Sequence, residues 1–491
     1  MAKRPKSSRR PAAASHERDN PPPDFTEASE MQGDRTGRYL VLMREEEIPR
    51  AAAVLNDVAG LKNVESVSAF DTNGSFDAEA AEGAGGCVFP RLGVAVVTGD
   101  PDQIGALAVE SNEDQGILAI EPERIMYALA EAPGLILPAP PADPDLARNA
   151  GGGTLPLEVG TATAQYLRGY RDAVVALVDQ LLGGGESEAA IAGLEASRER
   201  FVDDAVSTWG LKATRVTNSR FSGRGIRVAV LDTGLDLRHP DFSGRTISSR
   251  SFVAGQQVQD GHGHGTHCIG TSTGPERPGQ VRRYGCAFRA EIFAGKVLSN
   301  AGSGADTGIL AGIEWALTNG CRVISMSLGA PVQPDEPFSP IYENVGRRAL
   351  RAGALIVAAA GNDSRNPATG VRLEPPRPVG RPANCPSIMA VGALDRVLAV
   401  GSFSNGGLNP NGGGVDIAGP GVDVFSSWPM PTRYRTISGT SMATPHVAGI
   451  AAMWSEAQGA TGAALWQLMT GSARRLRLSA RDVGSGLVQA P

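Results

Sequence analysis

Ile226–Leu231 reads IRVAVL, and Asp232 closes it. An apolar run without polar alternation is the pattern of a strand buried on both faces. Further runs of this kind follow at Glu291–Val297 (EIFAGKV), Val323–Met326 (VISM), Ala354–Ala360 (ALIVAAA) and Ile388–Val391 (IMAV). Helical spacing fills intervals between them, as in Asp306–Asn319 and Glu343–Ala352. Apolar strands alternating with helices predict an α/β fold with a doubly wound, mostly parallel sheet. In such a sheet ligands gather at the carboxyl ends of the strands. Asp232 stands at one of those ends.

Outward from this region the texture changes. Residues 1–37 are rich in Pro, Ser, Arg, Asp and Glu and read as a disordered tail. Residues 38–131 read as a small α+β unit. Its strands are expected at Arg38–Met43, Leu92–Thr98, Ile117–Glu121 and Ile125–Leu129, its helices at Ile48–Ala59 and Asp102–Val109. That order is a ferredoxin-like split βαβ arrangement. Residues 132–158 have the Pro/Gly composition of a linker, and 159–206 the spacing of a helical insert. The large domain occupies 207–491.

Composition narrows the function. The 491 residues suit one large domain plus one or two smaller ones. With 41% hydrophobic and 20% charged residues the chain can build a packed core. Its 46 basic and 52 acidic residues leave a net charge of −6, which argues against a nucleic-acid partner. The longest near-apolar run, Ala354–Ala360, is far too short to span a bilayer, so no membrane partner is expected. The cysteines Cys87, Cys268, Cys286, Cys321 and Cys385 are odd in number and form no C-x-x-C, which argues against a disulfide framework and a zinc ribbon. The basic start Met1–Arg10 is followed by no apolar stretch. Without that signal-peptide feature the expected location is cytoplasmic, with export by another route left open.

Four residues carry chemistry. Asp232 ends its strand before Thr233-Gly234, where an Asp also suits a plain turn. His264 lies in GHGHGTHCIG, which holds His262, His264 and His267, three of the six histidines in the chain. Ser441 lies in SGTSMATPHVAG and opens an apolar helix, where a serine also suits an N-cap. There the free backbone N–H groups and the helix dipole favour developing negative charge. Asn362 ends ALIVAAAGN, just past a strand, where its amide could donate to an oxyanion or cap a turn. Taken together they supply a nucleophile, a base, a base-orienting carboxylate and an oxyanion donor.

Residues from about 210 to 485 resemble the catalytic domain of the subtilisin-like serine peptidases, or subtilases. The resemblance rests on ordered blocks: VLDTGLDLRHPDF, DGHGHGTHCIGT, FAGKVLSNAGSG, ISMSLGAP, VAAAGND, PSIMAVGALD, VDIAGPGVDV and ISGTSMATPHVAGIAA. The Cys after HGTH and the wording of the last two blocks are most similar to the proteinase K branch. The resemblance implies Asp232, His264 and Ser441 as a triad and Asn362 as the oxyanion side chain. It implies a protein or peptide substrate held as an extended strand between Gly302, Ser303 and Gly304 on one side and Ser327, Leu328 and Gly329 on the other. Ala359, Ala360 and Gly361 would line the first specificity pocket. Ala330 stands where many relatives have Gly, which would narrow a neighbouring subsite. No cofactor is required for catalysis. A structural calcium near Pro386, Ile388 and Asp416 is a further implication, with no metal ligand assigned. Residues 38–131, ending ILAIEPERIMYAL, resemble a subtilase propeptide, which implies an intramolecular inhibitor and a zymogen.

Two other readings are weaker. A zinc hydrolase could use the H-x-H-x-x-H of His262, His264 and His267, but Thr266 stands where such sites usually place an Asp. A scaffold that has lost catalysis would lack a triad member, and this chain keeps all three.

Overall fold

A computed structural model describes residues 35–72, 75–113, 116–129, 199–407 and 413–491. Most of the tail, the linker and residues 159–198 of the helical insert lie outside the described residues. No helix among the described residues is long and apolar enough to cross a membrane.

The large unit is built on a sheet of seven strands, all parallel. Their order across the sheet is Ile417–Pro420, Met389–Leu394, Leu355–Ala359, Val323–Met326, Arg227–Asp232, Glu291–Lys296 and Ile247–Ser251. The central strands are buried along nearly their whole length because helices cover both faces. One face packs on the helices His264–Thr273 and Thr440–Gln458, through Val228, Val230, Val357, Ile269 and Val447 among others. The other packs on Asp306–Thr318 and Pro340–Arg351, through Leu231, Ile324, Ile356, Ile313 and Val345. The chain is thus doubly wound about this sheet.

The N-terminal unit is α+β. Its strand Arg35–Met43 lies between Val94–Val97 and Ile117–Ala128, antiparallel to both. Gly86–Phe89 pairs with Val94–Val97, giving the ferredoxin-like order, and Val64–Ser66 adds a parallel edge. Helices Ala51–Ala59 and Pro101–Glu113 pack on one face through Val41, Met43, Leu55 and Leu107.

Two segments differ from the sequence expectation. The last strand is one continuous element, Ile117–Ala128, rather than two. Its first half pairs with Arg35–Met43, and its second half leaves the N-terminal sheet to pair with the large unit. Residues 199–206 carry no helix. Backbone and side-chain anchors hold the segment on the large unit instead. Glu199 pairs with Arg474 at 2.7 Å, Phe201 N–H donates to the Arg396 carbonyl at 2.9 Å, and Asp203 accepts the Trp209 N–H at 2.7 Å.

Candidate active site

Asp232, His264 and Ser441 arrive from three elements and are all fully buried. Asp232 is the last residue of its strand. His264 begins a helix whose first turn is fixed by Asp260, which accepts the N–H groups of His262 (3.0 Å), Gly263 (2.8 Å) and Thr266 (2.8 Å). Ser441 lies in the first turn of Thr440–Gln458, behind Gly439.

His264 Nδ1 lies 2.7 Å from Asp232 Oδ1. Burial opposes a charge on the imidazole, but the carboxylate outweighs it and holds the His264 pKa well above the usual value. The other ring nitrogen, Nε2, is buried without a hydrogen-bond partner. The Ser441 hydroxyl donates instead to the Ser327 carbonyl, at 3.0 Å.

Asn362 is oriented by its own oxygen. Oδ1 accepts the Thr440 N–H at 2.9 Å and the Thr440 hydroxyl at 2.8 Å, so Nδ2 points outward as a donor. That donor meets the carbonyl oxygen of Leu129 at 2.7 Å.

Leu129 is there because the strand Ile117–Ala128 runs down the groove between two edges. On one side Ile125, Met126 and Tyr127 pair antiparallel with Ala305, Gly304 and Ser303. On the other, Tyr127 and Ala128 pair with Gly329 and Leu328. Ala128 N–H donates to the Gly302 carbonyl at 2.8 Å and Leu129 N–H to the Ser327 carbonyl at 3.3 Å. The edge glycines are demanded partly by the large unit itself. A Cβ on Gly304 would stand 2.1 Å from the Val297 carbonyl oxygen, and one on Gly329 would stand 2.5 Å from that of Arg381 and 3.2 Å from the Leu129 side chain. Ala359 and Ala360 are fully buried, and Gly361 (φ +112°) donates to the Thr440 hydroxyl. Ala330 exchanges two backbone hydrogen bonds with Arg381, each 2.9 Å.

The three clustered histidines do not converge. His267 Nε2 lies 3.0 Å from the Val424 carbonyl, its ring packs on Trp428, and burial lowers its pKa to about 3. His262 stands edge-on to His264, with ring centroids 6.2 Å apart. Asp232, His264 and Cys268 bring ligand atoms within 4.8 Å of one another. Burial raises the Cys268 thiol to about 11 and His264 Nδ1 is engaged by Asp232, so this group is the floor of the site rather than a metal cage. At the calcium position, Asp416 Oδ2 accepts the Ala390 N–H at 2.8 Å, and burial raises its pKa to about 7. Among the described residues no group of three or more His, Cys, Asp or Glu ligands gathers there.

The large unit matches the model of the subtilase family over residues 223–486. This chain belongs to that family. It is 40% identical over 261 residues to M-protease of Shouchella clausii (strain KSM-K16), covering 51% of this chain and 62% of the relative. It is 40% identical over 261 residues to Subtilisin Savinase of Lederbergia lenta, covering 51% of this chain and 87% of the relative. To the Cuticle-degrading protease of Metarhizium anisopliae it is 39% identical over 247 residues, covering 49% of this chain and 56% of the relative. The chain thus spans less than two thirds of M-protease, and these alignments cover about half of the subtilase described here. The subtilases are serine endopeptidases and need no cofactor for catalysis.

Sequence reasoning missed the residues of the large unit that grip the strand upstream of Ile125. Asp306 accepts the Arg124 N–H at 2.9 Å, and Thr307 N–H donates to Glu123 at 2.8 Å. Away from this strand, Glu314 accepts the N–H of Arg91, in the turn between Gly86–Phe89 and Val94–Val97, at 3.2 Å. Ser339 and Arg381 both bond to Glu121. Each lies in a helix or loop with no motif, and its role depends on a partner about two hundred residues away.

Proposed function

We propose that this subtilase is a serine endopeptidase made as a self-inhibited zymogen, with Asp232, His264 and Ser441 as triad and Asn362 as oxyanion donor. The observation that carries the reading is the Leu129 carbonyl on Asn362 Nδ2, at 2.7 Å, with the preceding residues paired into both groove edges. This is how an acyl or product carbonyl must lie for attack by a neighbouring hydroxyl.

The chemistry follows from the residues. The Ser441 hydroxyl exchanges the Ser327 carbonyl for the free Nε2 of His264, which takes its proton as the oxygen attacks a peptide carbonyl. Asp232 keeps the imidazole in the required tautomer and stabilises the imidazolium. Asn362 Nδ2 then holds the developing oxyanion. His264 returns the proton to the leaving amine, and water releases the acyl group by the same steps. Gly302–Gly304 and Ser327–Gly329 hold the substrate strand, and Ala359–Gly361 border the pocket for the residue before the cut. The N-terminal unit is the intramolecular inhibitor, and the bond between Leu129 and Ala130 is its cleavage site.

The test is intact mass. The wild-type chain should shorten by a cut after Leu129, and Ser441→Ala should stay at 50.9 kDa. A second reading, permanent self-inhibition, is favoured by the absence of a Ser441–His264 hydrogen bond. It predicts that both chains stay whole. If neither is cut and wild type also fails to label with a fluorophosphonate after the N-terminal unit is displaced, the peptidase reading is wrong.

A further inference from the structure

Upstream of Ile125 the strand Ile117–Ala128 lies outside the groove edges, yet the large unit keeps hold of it through charged groups. Arg124 meets Glu336 at 2.9 Å, and Glu123 is bound by Thr307. Eight positions before Leu129, Glu121 accepts the Ser339 hydroxyl at 2.9 and 3.0 Å and pairs with the guanidinium of Arg381. This last contact is a built site. The Arg381 side chain is only 6% exposed, and its guanidinium lies 5.5 Å from the centre of the Tyr342 ring. Its Nε has no partner. Ser339 is the N-cap of Pro340–Arg351, so a helix N-terminus and a buried arginine converge on one carboxylate.

Ownership of the charges decides what happens when the N-terminal unit departs. Arg381, Ser339 and Asp306 stay with the catalytic unit, whereas Glu121 leaves. Burial works against the Arg381 charge, and the facing carboxylates of Glu121 and Asp306 outweigh it. After departure Asp306 stays beside the Arg381 cation, which then lacks its direct carboxylate partner.

We propose that Arg381 and Ser339 form a carboxylate-reading subsite of the mature enzyme, which selects protein substrates carrying Glu or Asp eight residues before the residue whose carbonyl is attacked. The inference rests on the peptidase reading, and it names the class of substrate that site prefers. An extended chain of nine residues spans about 30 Å, so the subsite reads protein segments and long peptides and is blind to short ones.

The experiment uses the self-cleaved enzyme freed of its N-terminal unit. Two internally quenched peptides carry residues 117–129 followed by a short leaving segment, one with Glu and one with Gln at the position of Glu121. The Glu peptide should show kcat/KM about fivefold higher or more, chiefly through KM. In Arg381→Met the ratio should fall to about one, and Arg381→Lys should restore part of it. Each ratio is taken within one enzyme, so a variant that folds poorly lowers both rates without altering the comparison. Equal rates in wild type overturn the proposal, as does a preference that survives Arg381→Met. A short peptide starting at Met126 separates the two ideas. If it is cut while Glu and Gln are equivalent, the subsite alone has failed. If it is not cut, the peptidase reading has failed and the subsite falls with it.

Discussion

The two units of this subtilase both layer helices on a sheet, but they differ in what covers the sheet's second face. The catalytic unit dresses both faces with its own helices. The N-terminal unit dresses one face, where Val41, Met43, Val97 and Leu107 pack together. Its other face, with Leu40, Leu42, Val94 and Val96, runs into the same core as Ile309, Ile313 and Val345 of the catalytic unit. Separation therefore strips the small unit of half its core, while the large one loses only an outer cover over two helices. Small units bury too little surface to spare such a loss. Dependence runs one way, and every group of the proposed machinery sits on the self-sufficient side.

Four experiments would break or sharpen this contrast. Ser441→Ala should lower kcat about a million-fold, a magnitude that belongs to the equivalent serine of subtilisin itself. In this uncut chain hydrogen exchange of Ile117–Ala128 should stay slow, so fast exchange there would show that docking needs the nucleophile. Next, Asn362→Leu should lower kcat of the separated enzyme by about 100- to 1,000-fold with little change in KM, again a magnitude known from subtilisin. A loss confined to KM would mean that Asn362 only binds.

Docking is the complementary target. Phe76 of the N-terminal unit packs on Phe252 of the catalytic unit, with ring centroids 5.4 Å apart. In the Ser441→Ala chain, Phe76→Ala should weaken docking by about 3 kcal/mol, the low end for deleting a buried Phe. Amide exchange along Ile117–Ala128 should accelerate while Thr440–Gln458 stays protected. Equal loss in both would show that the catalytic unit leans on its neighbour after all.

The smallest effect concerns pH. Burial raises Glu314 to about 7, against hydrogen bonds from the backbone of Arg91 and Leu92. Burial likewise raises Asp306 to about 6, against Arg381 and the hydroxyl of Tyr342. Both carboxyls face the N-terminal unit, and exposed carboxyls titrate near 4. At these two groups the docked form binds more protons, so their contribution to docking is fully present below about pH 4 and is lost as pH rises through 6 to 7. Protection of Ile117–Ala128, corrected for intrinsic exchange, should fall between about pH 5 and pH 8. Glu314→Gln should flatten that decline, and a flat profile in the parent chain would refute the assignment.

The central sheet was legible because its strands are apolar on both faces, and Asp232 and Asn362 could be placed at strand ends for the same reason. The groove strand was harder to read. Glu121, Pro122, Glu123 and Arg124 interrupt its apolar pattern, because their partners are Arg381, Thr307 and Glu336 rather than neighbours in the chain. Arg381 itself sits between Gly380 and Pro382 in a stretch that reads as loop. Nor could any spacing reveal that the Ser441 hydroxyl rests on the Ser327 carbonyl, since that is a choice of rotamer.

The strand that fills the groove belongs to the same chain as the groove, and this makes occupancy a matter of tethering. Linked modules of this kind meet at an effective concentration of the order of millimolar. The proposed cut after Leu129 would abolish the link while leaving the pairing of Ile125–Ala128 with both groove edges in place. From then on, occupancy follows the actual concentration of the released unit against its dissociation constant. The same interface would stay shut in a crowded compartment and open on dilution, so the proposed cut would act as a switch whose threshold is set by how much of this protein surrounds it.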